Sequence, residues 1–176
     1  MTLIVCPAAS LVQVFRERQP SHVLTMASPG QPAAPALAGV CQLALTFHDI
    51  AEPQLQHAPG LDLVPPDRAA MDAVLAFGRS WDGARPMLVS CFAGVSRSTA
   101  AAFILACQRE PGLSEVDIAA ALRSASPIAT PNPLMVALAD AALGRNGRMI
   151  AAIAAIGRGA DYAPYTSFDL PRLASN

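Results

Sequence analysis

The sequence predicts an α/β protein with a central, mostly parallel sheet of about four to five strands flanked by helices. Three observations point there. Short apolar runs at residues 2–6, 21–26, 42–47 and 86–90 alternate with longer stretches of helical period. The chain has 176 residues, 53% of them apolar and 14% charged, which suits one buried core and is the opposite of a disordered composition. A series of helical segments then follows the last of these runs, as expected for a parallel sheet with helices on both faces.

Each element has a local reason. Thr2–Cys6 is a β-branched run that reads as a buried strand, and Pro7–Arg18 carries Leu11, Val12, Val14 and Phe15 at helical spacing. Ser21–Met26 reads as a second strand. Ser28–Ala38, with three prolines, is a loop. Gln42–Phe47 is a weakly alternating strand that runs into His48-Asp49, and Ile50–Pro66 is rich in Pro, Gln and Gly without any period. Asp67–Trp81 is a helix with Ala70, Met71, Val74, Leu75 and Phe77 as its apolar set. Pro86–Ser90 is a short strand, and Ser98–Arg109 is apolar nearly all round, the mark of a central buried helix. Ser114 followed by Asp117 opens a helix to about Ser124, and Asn132-Pro133 opens another that stops near Gly144. A last helix spans Arg148–Ile156. Residues 1–157 are thus expected to form one catalytic domain and 158–176 a tail with no periodic element.

Composition excludes several classes. The 12 basic residues, all Arg, nearly balance 13 acidic ones for a net charge of −1, which argues against a nucleic-acid binder. No apolar run approaches the roughly 18 residues of a membrane span. Cys6, Cys41, Cys91 and Cys107 form neither a CxxC pair nor a zinc spacing, and the three histidines form no ligand pattern. The expectation is a reduced, cytoplasmic protein with no signal peptide, metal or organic cofactor. Cys6, Cys41 and Cys107 read as core residues; Trp81 reads as packing.

Cys91 stands apart. In Val89-Ser90-Cys91-Phe92-Ala93-Gly94-Val95-Ser96-Arg97-Ser98-Thr99 a strand ends in a cysteine, five residues follow, and Arg97 opens a helix. The amides of Phe92, Ala93, Gly94, Val95 and Ser96 and the helix N-terminus can converge on an anion. Gly94 permits the tight curl, and the Arg97 fork matches two phosphate oxygens. The same field favours a thiolate at Cys91, placed for in-line attack on phosphorus, with Ser98 donating to the sulfur when it leaves. Cys-x5-Arg alone is a weak motif; glycine at the third position after Cys91, serine at the seventh and the strand-loop-helix setting make it strong.

At these residues the chain resembles the cysteine-dependent protein tyrosine phosphatases, most closely the compact dual-specificity type. That family's loop reads His-Cys-x-x-Gly-x-x-Arg-Ser/Thr, and 90–98 matches except at its first position, where Ser90 replaces His. The similarity runs on through 98–102 and resumes at 121–138, where Pro131-Asn132-Pro133 resembles a Pro-Asn element whose Asn braces the phosphate loop. The resemblance implies a supporting role for Asn132, a less activated thiol with Ser90 behind it, and a general acid on the loop after the preceding strand. Asp49 occupies that strand end, 42 residues before Cys91. Asp62 is the alternative at a shorter spacing, while Asp67 reads as a helix cap. His48 is placed to tune Asp49 or touch substrate. The implied activity is hydrolysis of a phosphorylated protein or small phosphomonoester through a phosphocysteine. The alternatives are a catalytically weak phosphopeptide-binding module and an inositol phosphate or phosphoinositide phosphatase.

Overall fold

Three apolar runs of the sequence become strands covered on both faces, which is why they read as continuous rather than alternating. A computed structural model describes residues 1–51, 62–161 and 166–171. Strands β1 (Thr2–Pro7), β2 (His22–Ala27), β3 (Cys41–Thr46) and β4 (Met87–Cys91) are parallel, and β5 (Phe168–Pro171) is antiparallel. The sheet order is β3-β2-β4-β1-β5, so β4 lies between β2 and β1 at its centre. The helices are α1 (Leu11–Arg18), α2 (Arg68–Ser80), α3 (Arg97–Arg109), α4 (Glu115–Ala125), α5 (Pro133–Ala142) and α6 (Arg148–Ile156).

The two faces are unequal. On one, Leu11 and Val14 of α1 cover Ile4, Cys6, Val23 and Leu88. On the other, α2–α6 build the larger core around α3, where every residue from Arg97 to Cys107 is buried. Side-chain caps fix three helix starts: Asp67 accepts from the Ala70 amide, Ser114 from Val116 and Asn132 from Met135. Asp140 works at a distance, accepting from the amides of Gly147 and Met149 to hold the start of α6. Among the described residues no helix is long and apolar enough to cross a membrane.

Two expectations change. Cys41 is exposed rather than in the core, because it opens β3 on the sheet's outer edge. The tail holds an element after all: β5 pairs with β1, and Arg18 donates to both Asp169 oxygens at 2.8 and 2.7 Å. Four residues carry no readable period, and pairing with a strand already in place supplies the order. Residues 52–61, His57, Tyr162 and Tyr165 lie outside the described residues.

Two outcomes test this core. Phe103, fully buried in α3, leaves a cavity when cut back, so Phe103→Ala should lower the unfolding free energy by about 3–5 kcal/mol in urea titration. Burial holds the His22 imidazole below its ordinary value near 6.5, so the unfolded chain takes up the proton first as pH falls. The stability tied to His22 is complete above about pH 6.5 and shrinks below it. His22→Leu should therefore lose less thermal stability than the parent when pH is lowered through that range.

Candidate active site

The phosphate-loop candidate starts where β4 ends, in the crevice at the carboxyl edge of a parallel sheet. The loop is tied from several sides. The Ala8 amide donates to the Phe92 carbonyl at 3.2 Å, Thr130 N–H to the Val95 carbonyl at 2.9 Å, and Asn132 N–H to the Ser96 carbonyl at 3.3 Å. Thr99 Oγ1 also donates to the Ser96 carbonyl. Gly94 has φ +74°, and a Cβ there would stand 2.9 Å from Pro7 N and 3.0 Å from Cys6 C. Only glycine meets both demands. Unlike α2, α4 and α5, helix α3 has no side-chain cap, and its first turn opens on the loop.

A cavity of about 380 Å³ forms there, lined by the loop with Ser28, Gln31 and Asp49. Cys91 is buried beneath it, with Sγ 3.1 Å from Ser98 Oγ. Arg97 is 3% exposed. Its Nη1 donates to the Phe47 carbonyl at 2.8 Å and to Ser28 Oγ at 3.1 Å, while its Nε has no hydrogen-bond partner. Asp49 Oδ2 stands 3.9 Å from that Nε, close enough to attract and too far to bond. Asp49 Oδ1 accepts from Ser96 Oγ at 2.7 Å and Asn132 Nδ2 at 2.8 Å. Asn132 also donates to the Ile50 carbonyl, so one side chain caps α5 and holds the 49–50 turn against the loop.

Cys91, Arg97, Ser98, Asp49 and Asn132 thus converge, together with Phe92, Ala93, Val95 and Ser96 on the cavity wall. Asp62 is exposed and does not line the cavity, and Asp67 caps α2. His48 is engaged with Val64 instead. Its Nδ1 accepts from the Val64 amide at 2.9 Å, and its backbone N–H donates to the Val64 carbonyl at 2.6 Å. Ser90 is not brought to the Cys91 sulfur, because neighbouring positions on a strand face opposite sides of the sheet. Sequence reasoning missed Ser28, Gln31 and the Phe47 carbonyl. All three follow the ends of β2 and β3, so the rule that ligands gather at strand carboxyl ends was the available signal. The other two buried thiols are pushed up by burial, Cys6 to about 11 and Cys107 to about 12, and lie outside the cavity.

The fold is that of the dual-specificity group of cysteine-dependent phosphatases, as the resemblance at 90–98 implied. Among solved structures, the chain is similar to human DUSP28, with 27% identity, 82% of this chain and 94% of that one covered, and a TM-score of 0.52. It is also similar to DUSP15, at 21% identity over 87% and 90% with a TM-score of 0.55. PTPMT1 matches at 17% identity over 87% and 94% with a TM-score of 0.57. No family model and no curated protein matches the sequence.

Gly94→Ala should be the most damaging single methyl in the loop. The positive φ and the contact with Pro7 predict a stability loss of about 1–3 kcal/mol, read by denaturant unfolding. Orthophosphate should then no longer raise the thermal midpoint, as it should in the parent chain.

Proposed function

We propose that this chain hydrolyses phosphomonoesters through a phosphocysteine intermediate. The observation that carries the reading is the buried Arg97 Nε without a partner, at an uncapped helix start and in a residue that lines the same cavity as Cys91. A buried cationic N–H left unpaired is costly, and a phosphate oxygen would complete it.

In the first step the Cys91 sulfur attacks phosphorus, the P–O bond to the leaving group breaks, and Asp49 gives the departing oxygen its proton. In the second, water attacks phosphorus, Asp49 takes the water's proton, and the S–P bond breaks to return the thiolate. Ser98 Oγ, 3.1 Å from the sulfur, donates to it as it leaves. The loop amides and Arg97 hold the equatorial oxygens throughout. Asp49 suits the acid role because it lines the cavity and Ser96 and Asn132 hold only Oδ1, leaving Oδ2 without a hydrogen bond among the described residues, 3.9 Å from Arg97 Nε. The chemistry draws on this chain's own side chains and loop amides. Free thiols at all four cysteines fit a reducing, cytoplasmic setting.

The substrate class that fits is a phosphorylated protein or small phosphomonoester. One PTPMT1 structure is a complex with PI(5)P. Here Arg97 is the one basic residue lining the cavity among the described residues, which suits a single phosphate better than a polyphosphorylated ring.

The test is release of phosphate from an aryl phosphate in EDTA. Cys91→Ser should abolish turnover, and Asp49→Ala should lower kcat by about 10²–10⁴-fold. A silent Asp49→Ala beside an impaired Asp62→Ala would move the acid to Asp62. Binding of phosphotyrosine with no turnover would make the chain a phosphate-binding module.

A further inference from the structure

A second cavity, of about 360 Å³, opens on the α1 side of the sheet and meets the phosphate cavity at Gln31, Cys91 and Phe92. Its size falls within the roughly 300–1,000 Å³ range of small-molecule sites. Its floor holds two small polar side chains, Thr25 of β2 and Ser90 of β4, which stand in register. Cys6 of β1 pairs with Ser90 from the other side, beneath the cavity rather than lining it. Alternation along the strands sends all three to the α1 face. The walls come from Ala9 and Leu11, and Pro32, Ala34 and Pro35 close it from the β2–β3 loop. No charged side chain lines it among the described residues.

The floor holds an unfinished contact. Ser90 Oγ, in a residue 2% exposed, has no partner at hydrogen-bonding geometry. The Cys6 thiol, a weak hydrogen-bonding group, lies alongside. Buried hydroxyls are almost always paired, so a lone one at the base of an apolar cavity asks for a polar atom from a ligand. At the mouth, Phe92 is 67% exposed and belongs to both cavities, an aromatic face where they join.

We propose that this cavity binds an uncharged, apolar group bearing one hydrogen-bonding atom, and that in a substrate this group is the organic half of the phosphomonoester. The second clause rests on residues 91–97 holding phosphate; the first stands without it. Uncharged walls disfavour an inositol bearing further phosphates and a highly charged peptide, and they favour an aromatic or branched alcohol.

Two measurements test it, one free of catalysis. 1-Naphthol should bind saturably, followed by its own fluorescence. Ala34→Phe and Ala9→Phe, which fill the cavity from opposite walls and lie outside the phosphate cavity, should each weaken it by about tenfold or more. In turnover, 1-naphthyl phosphate should exceed phenyl phosphate in kcat/KM by about tenfold in the parent. In either variant that ratio should fall toward one with phenyl phosphate turnover kept. Naphthol that fails to bind, or binds equally well to both folded variants, overturns the proposal whatever the turnover. A ratio unchanged by the variants removes the substrate clause. Naphthol binding lost in the variants, with neither ester hydrolysed by the parent, supports the cavity and overturns the hydrolase reading alone.

Discussion

A guanidinium almost sealed from water, with its buried Nε–H left unpaired, sets the terms for everything around the loop. Taking such a charge out of water costs several kcal/mol unless partners surround it. Arg97 receives part of that compensation from the Phe47 carbonyl and the Ser28 hydroxyl, which draw the ends of β3 and β2 toward the start of α3. The remainder is missing. Asp49 approaches without bonding, so the pocket is electrostatically complementary to an anion that can reach Nε and the helix start together.

The helix that carries this charge is also the centre of the larger core. Its continuous burial from Arg97 to Cys107 means the arginine and Ser98 are placed by packing rather than by a free loop. Gly94 adds a second constraint, because the loop can curl only where β1 leaves room for a residue without Cβ. Core packing and site geometry are therefore one problem here. A disturbance of α3 reaches Arg97 and Ser98 with no intermediary.

Where the sequence was informative, a local physical rule was at work. The two-face burial of β1, β2 and β4 and the caps at Asp67, Ser114 and Asn132 were readable because each depends on neighbours in the chain. The Cys91–Ser98 segment was readable for the same reason. Long-range pairings were hidden. Nothing local marks β5 as a partner for β1, Cys41 as an edge residue, or Ser28 as a partner of Arg97 69 positions away. Ser90 shows the limit most sharply: its place at the family's His position suggested support for the thiol, and strand alternation turns its side chain to the other side of the sheet.

The pair of hydrogen bonds between His48 and Val64 has a bearing on how such chains can vary. They bring the chain back to one point just beyond the end of β3, with Asp49 immediately inside the closure and held separately by Ser96 and Asn132. The entropy of closing a loop grows only slowly with the number of residues in it, about 0.6 kcal/mol for each doubling. A change in the number of residues between the clasped ends would therefore cost little in closure and leave the Asp49 carboxylate where Ser96 and Asn132 hold it.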